Sequence, residues 1–141
     1  MRKEKKYKPS RQLVGNMGLY YVCYKLSKRG WNVLPTSRNA RGVDVVIYSQ
    51  DAIRTHTIQI KALSKRDPVP LGSNIQNLIA EYLIICRGVS DDKPEVFLAK
   101  ISGIKSRIHD RRKGDKLSYW LEPKDYEDLK DNWGIIGNGY D

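Results

Sequence analysis

The stretch RGVDVVIY, residues 41–48, and the stretch THTIQIKA, residues 55–62, decide the fold of this chain. Both are rich in β-branched residues, and the turn-like residues 49–53 separate them. This pattern predicts a β-hairpin. In the second strand, apolar side chains alternate with polar ones, which predicts one face on a core and one polar face. The apolar set is Ile58, Ile60 and Ala62, and the polar set is Thr57, Gln59 and Lys61.

The polar face of this hairpin gathers three side chains that can take part in binding or catalysis. A four-residue loop (50–53) places Asp44 opposite Gln59, and a slip of two residues places it opposite Lys61. In either register, a carboxylate, an amide and an ammonium group converge. Asp44 lies among valines, where a charge is costly unless it is paired or binds a cation. The alternative is an ordinary solvated Asp44–Lys61 pair, which contributes little.

The order of these motifs resembles a known group of proteins. A helix, a strand, Gly42-Val43-Asp44 on the next strand and Gln59-Ile60-Lys61 on the one after it resemble the PD-(D/E)XK, or restriction-endonuclease-like, nuclease superfamily. Gln59 stands at the acidic position of the second motif, a Gln-x-Lys variant similar to the Mrr-like group. The resemblance covers residues 10 to about 100.

That resemblance implies a fold and an activity. The expected fold is a single α/β domain with a mixed central sheet flanked by helices and an αβββαβ-type core. The expected function is a metal-dependent DNA endonuclease in which Asp44, Gln59 and Lys61 are catalytic. Asp44 and Gln59 would hold Mg (or Mn), and Lys61 would assist the attacking water. Because one such site cuts one strand, double-strand cleavage would need a homodimer or successive nicks.

One departure from the superfamily keeps a second interpretation open. The first helix of such nucleases often supplies an acidic residue to the metal, and Leu19 stands there in this chain. With Gln59 neutral as well, Asp44 is the sole carboxylate that the motifs assign to a metal. The alternative function is a catalytically degenerate, nuclease-like DNA-binding or regulatory subunit.

Length and charge support one domain that binds a polyanion. The 141 residues suit a flexible basic arm at 1–9 and one nuclease-like domain at 10–141. The net charge of +10 is uneven, at +12 in residues 1–66 and −2 in residues 67–141. Such a field favours DNA or RNA, although a plain interaction protein with a solubilising basic surface is the alternative. The candidate phosphate-binding residues are Arg38, Arg41, Lys65, Arg66, Arg111 and Arg112.

Other site classes find no support in the sequence. There is no apolar run of membrane-spanning length and no signal-peptide segment, so a cytoplasmic location is expected. Cys23 and Cys86 lack metal-ligand spacing and are interpreted as small core residues. His56 is predicted to be a partly buried strand residue, and His109 a surface residue. No Ser/His/Asp or Cys/His nucleophile set is visible.

The remaining elements follow from periodicity and turn signals. A helix is predicted from Ser10 to Gly30, capped at both ends. The other predicted elements are a strand at 31–35, a loop at 63–72, a short helix at 73–80, strands at 81–87 and 95–100, a helix at 101–109, a basic cluster at 110–114, an edge strand at 118–121 and a last helix at 123–129.

Overall fold

A long helix packs across one face of a five-stranded sheet in the computed structural model, which describes residues 6–37 and 41–141. The helices are α1 (Arg11–Lys28), α2 (Ile101–Ile104) and α3 (Pro123–Tyr126). The strands are β1 (Asn32–Pro35), β2 (Val45–Tyr48), β3 (Thr55–Leu63), β4 (Val69–Pro70), β5 (Tyr82–Arg87), β6 (Glu95–Lys100), β7 (His109–Lys113) and β8 (Lys116–Leu121). No helix of these two ranges is long and apolar enough to cross a lipid bilayer.

The central sheet is mixed, as predicted. Its strand order is β1-β2-β3-β5-β6, with β3 and β5 parallel and the other pairs antiparallel. The hairpin of β2 and β3 therefore lies at the middle of the sheet. The predicted mixed α/β architecture with a central mixed sheet is confirmed.

The two faces of the central sheet carry two separate hydrophobic cores. The core under α1 includes Val22, Leu26, Ile58 and Ile84. The core on the opposite face includes Leu83, Ile85, Phe97 and Tyr126. Cys86 is buried and Cys23 is half-buried, both as free thiols, in agreement with their predicted packing role.

The ends of α1 lie where the sequence places them. The Ser10 side chain accepts a hydrogen bond from the Leu13 N–H at 3.2 Å, which caps the first turn. Gly30 follows the helix with φ +85°, a left-handed conformation that glycine adopts without a Cβ clash. The predicted helix is confirmed at both termini.

Close contact between α1 and β3 depends on one glycine. A Cβ added at Gly18 would lie 2.5 Å from the Cβ of Ala62, whereas one added at Gly15 would meet nothing within 4 Å. We expect Gly18→Ala to destabilise the domain by about 1–3 kcal/mol through overpacking. Gly15→Ala should instead stabilise it by roughly 0.5–1 kcal/mol, because alanine favours the helix. Urea unfolding of both variants measures this, and equal effects would contradict the packing argument.

The C-terminal third differs from the sequence predictions. The helix predicted at 101–109 is wrong beyond Arg107, because α2 continues only into a 3-10 turn (Lys105–Arg107) and β7 begins at His109. The predicted basic cluster at 110–114 lies mostly on β7. Gly114, with φ +62°, and Asp115 form the two-residue turn into β8, which favours a hairpin over a helix.

A second sheet, which the sequence does not predict, has the order β4-β8-β7. The segment 118–121 predicted as an edge strand therefore belongs to the central strand of that sheet, because β4 within the predicted loop 63–72 pairs with it. Only a 3-10 turn (Ile75–Asn77) forms in the predicted helix at 73–80.

A buried arginine joins the C-terminal segment to the central sheet. Arg87, 8% exposed, donates to Glu127 at 2.9 Å and to Glu95 at 3.1 Å, and its guanidinium lies over the Phe97 ring. Arg66 also bonds Glu127, at 2.7 Å. Hydrogen bonds from Arg66 and then from Arg87 lower the pKa of the Glu127 carboxyl to about 2.

Candidate functional site

The predicted hairpin is present, and its ladder has the register of the four-residue loop. Ser49 N–H donates to Arg54 O at 2.9 Å, and Val45 lies opposite Ile58. At the end of β2, however, the Asp44 N–H also donates to Ile58 O, at 2.8 Å. Two successive residues thus face one partner, as in a β-bulge. A bulge turns a side chain out of strict alternation. Asp44 therefore lies directly opposite neither Gln59 nor Lys61, the residues that the two predicted registers place across from it.

Main-chain hydrogen bonds hold Asp44 where β2 and β3 separate. Its Oδ2 accepts from the Ile60 N–H at 2.7 Å. Its carbonyl accepts from the Thr36 N–H at 2.9 Å, and the Thr36 hydroxyl donates to Val43 O at 2.6 Å. A hydrogen bond to a carboxylate is stronger than one between neutral groups. The carboxylate therefore has a fixed position between the two strands.

Asp44 opens onto a cavity of about 240 Å³ beneath α1. Thr36 and Ser37 give it one polar wall. The other lining residues are Gly15, Leu19, Ile60 and Ala62. Leu19 thus lies at the position where the superfamily resemblance implies an acidic residue, next to the Asp44 carboxylate.

Lys61 is largely withdrawn from water. Burial lowers the pKa of its ammonium group, and the charge of Asp44 partly opposes that shift. The two groups thus influence one another electrostatically. No ion pair between them occurs among those that the described residues form.

Gln59 presents a buried oxygen without a partner. Its Oε1 accepts no hydrogen bond from any residue that the structure describes, although buried amide oxygens nearly always accept one. Strand alternation places Gln59 and Lys61 on the face of β3 opposite Ile60 and Ala62. The structure therefore brings Asp44 and Lys61 within electrostatic reach, but the cavity beside Asp44 is not lined by Gln59 or Lys61.

The oxygen atoms at this site suit a hard cation only in part. Within residues 6–37 and 41–141, no group of three or more His, Cys, Asp or Glu side chains could hold a metal. The Asp44 carboxylate and the orphaned Gln59 amide oxygen are the kind of donors that magnesium prefers, and magnesium takes its remaining ligands from water and phosphate. The two donors are of the right chemical type for a weak magnesium site, but Gln59 does not line the cavity onto which Asp44 opens.

Some of the predicted phosphate-binding residues are exposed, and others form ion pairs with carboxylates of the described chain. Arg41, Lys65 and Arg112 are exposed, whereas Arg111 forms an ion pair with Glu122 at 2.9 Å and Arg66 one with Glu127. Arg38 lies outside the described residues. Arg66 and Arg111, distant in sequence, line one cleft of about 580 Å³. The structure thus brings together Arg66, which closely follows β3, and Arg111, which lies on β7.

Two local contacts were not predicted from the sequence. Thr36 anchors the backbone at Asp44, and its only signal is a hydroxyl directly after Pro35. His56 is half-buried, as predicted, but its Nδ1 lies 2.7 Å from Glu81 Oε2. Nothing in the spacing of 25 residues between them indicates that pair, because it depends on the parallel pairing of β3 and β5.

Comparisons with known proteins identify the architecture. A scan of protein families matches none of them to this sequence, and no curated protein matches it either. Among solved structures, Hjc, a Holliday junction resolvase from the archaeal hyperthermophile Archaeoglobus fulgidus, superposes with a TM-score of 0.58 at 13% identity, over 84% of this chain and 99% of that one. A bacterial homing endonuclease superposes with a TM-score of 0.58 at 14% identity, over 90% of this chain and 92% of that one. The chain therefore has the restriction-endonuclease-like fold that these DNA nucleases share.

Proposed function

We propose that this chain is a metal-dependent DNA endonuclease that hydrolyses phosphodiester bonds. Three features support the proposal: the fold, the fixed Asp44 carboxylate at the fork of β2 and β3, and the excess of positive charge in the half of the chain that carries them. The Gln59-x-Lys61 spacing, similar to the Mrr-like group, supports the assignment of these residues.

The observation that carries this proposal is the Asp44 carboxylate held between β2 and β3 by the Ile60 N–H at 2.7 Å, with the half-buried Lys61 close enough to interact with its charge. Lysines on a sheet face ordinarily extend into water, and perturbed ionisable groups concentrate at functional sites. Removing an ammonium from water strengthens its attraction for a phosphate oxygen, because the effective dielectric constant is lower. Lys61 is thus suited to stabilise negative charge that develops on a phosphate.

Each residue has a definable role in this proposal. Asp44 and Gln59 would hold Mg (or Mn), with Gln59 Oε1 gaining the partner that it lacks. When bound, such an ion activates a water molecule and neutralises phosphate charge. Lys61 orients the attacking water and stabilises the anionic transition state. Ile60 N–H and Thr36 hold Asp44 in place.

A specific observation favours a second function, a nuclease-like subunit that binds DNA without cutting it. The cavity beside Asp44 is walled by Leu19, Ile60 and Ala62, and it contains no second carboxylate among its lining residues. An aliphatic wall does not stabilise a divalent cation. The exposed Arg41, Lys65 and Arg112 would serve either function.

Cleavage of supercoiled plasmid separates the two functions. The nuclease nicks the plasmid when Mg²⁺ or Mn²⁺ is present and stops when a chelator is added. A binding subunit shifts the DNA in a gel but leaves it intact with either metal. In both cases the affinity should fall steeply with salt, since phosphate contacts release counterions. Affinity that is insensitive to salt would instead indicate a plain interaction protein. Direct linearisation without a nicked intermediate would point to a homodimer acting on both strands.

A further inference from the structure

A second cavity lies beside the Asp44 cavity, at the end of β3. Its volume is about 750 Å³, within the range of roughly 300–1,000 Å³ typical of ligand sites. Ala62 lines both cavities, so they are neighbours. We call this second cavity the Trp120 groove, bounded by Lys8 and Arg11 on one side and by Pro68, Pro70 and Trp120 on the other.

The charged side of the Trp120 groove suits phosphates. Lys8 and Arg11 are both exposed, and neither forms an ion pair with any described residue. They lie just before and at the first turn of α1. Asp67 is the acidic residue among those that line the groove, so the two positive charges of Lys8 and Arg11 outnumber its one negative charge. Two cations at one edge of a groove can follow the backbone of a nucleic acid strand.

The other side of the groove provides an aromatic surface. Trp120 lies on β8 opposite Pro70, and its Nε1 donates to the Ser118 hydroxyl at 2.8 Å, which fixes the indole orientation. It is half-buried, whereas Trp31 is 2% exposed and Trp133 is 6% exposed. An indole beside cations is the arrangement on which unpaired bases stack. A base within a duplex is already stacked and cannot use such a surface.

We propose that the Trp120 groove binds an unpaired segment of DNA, with a base stacked on Trp120 and its phosphates held by Lys8 and Arg11. This inference rests on the proposed function, because the neighbouring Asp44 cavity matters to the groove only if DNA is cut there. It names the substrate class of that site as DNA with a single-stranded portion next to the bond that is cut, such as a flap or a branch.

Intrinsic tryptophan fluorescence tests the groove directly, in a chelator and without any cleavage. Because Trp31 and Trp133 are buried, short oligodeoxythymidylate should quench the emission of Trp120 alone. A duplex of the same length should quench it far less. In Trp120→Phe the quenching should vanish while the emission of the two buried tryptophans persists, which also shows that the variant is folded. Trp120→Ala should weaken single-strand binding about tenfold.

A matched pair of variants tests the phosphate contacts. Affinity for single-stranded DNA falls with salt, and each phosphate contact contributes about 0.7 to the steepness of log affinity against log salt. Lys8→Ala combined with Arg11→Gln should therefore make that dependence less steep by about 1.4. Lys25→Ala combined with Lys28→Ala removes the same charge at the far end of α1 and should change the slope far less.

The outcomes distinguish this inference from the proposed function. DNA binding without Trp120 quenching, or equal quenching by duplex and single strand, overturns the groove and leaves the nuclease proposal standing. Quenching as described, with no cleavage in any metal, supports the groove and overturns the nuclease proposal.

Discussion

Lys61→Met should lower the rate of metal-dependent DNA cleavage by about 10²–10³-fold, the loss typical when one group that stabilises transition-state charge is removed. Methionine keeps much of the length of the side chain but carries no charge. Lys61 is half-buried, and burial lowers the pKa of its ammonium group. Methionine fills most of the same space and removes a charge that burial disfavours. We therefore expect the variant to be folded and at least as stable as the parent.

The measurement is single-turnover cleavage of plasmid DNA, beside a gel-shift assay of affinity. Lys65→Met is the matched control, since Lys65 lies just beyond β3 and is exposed. It should retain the cleavage rate and lose only some affinity. If Lys61→Met cuts as fast as the parent, Lys61 has no catalytic role. Any catalytic site would then involve the residues of the Asp44 cavity and not the Gln59-Ile60-Lys61 motif.

Arg87→Met should lower the free energy of unfolding by about 3 kcal/mol, in the range of losses on breaking a buried ion pair. The side chain is 9% exposed, and it bonds two carboxylates from separate segments, Glu95 and Glu127. It also lies 4.8 Å from the centroid of the Phe97 ring. Removing the guanidinium leaves both carboxylates without this partner and removes the ion pair between β5 and Glu127 of the C-terminal segment.

Urea unfolding followed by circular dichroism measures that effect. Arg66→Met is the control, because Arg66 bonds the same Glu127 but is 63% exposed. Exposed ion pairs contribute about 0–1 kcal/mol, so this variant should be close to the parent. Equal losses in the two variants would show that burial of Arg87 does not decide the stability of the network.

The hairpin illustrates what can be predicted from local pattern. Alternation of Ile58, Ile60 and Ala62 with polar residues, bounded by a turn-like loop, predicts the two strands and their pairing. It left two registers open, and the structure has the register of the four-residue loop as far as Val45. The bulge at Asp44 was not predicted, because both registers considered continue the strict alternation of β2 beyond Val45. In the structure Asp44 instead lines the cavity that Leu19 lines and Gln59 does not.

The C-terminal third shows a different kind of limit. The periodicity of residues 101–109 is compatible with a helix throughout, yet the helical part ends at Arg107 and β7 begins at His109, where β8 pairs with it. The partner of β8 on its other side is Val69–Pro70, about 50 residues earlier, in a segment whose prolines predicted a loop. Pairing between distant segments overrides local preference when it buries apolar residues such as Val69 and Leu121.

By itself, the sequence determined the capped first helix, the central hairpin, the buried strands of the sheet and the uneven positive charge. Each of these follows from contacts between near neighbours in the chain or from composition. Only the tertiary structure decided the burial of Lys61, the unpartnered oxygen of Gln59, the second sheet and the groove that joins Lys8 to Trp120. Those features depend on which distant segments share a surface, and desolvation and shape are properties of that shared surface.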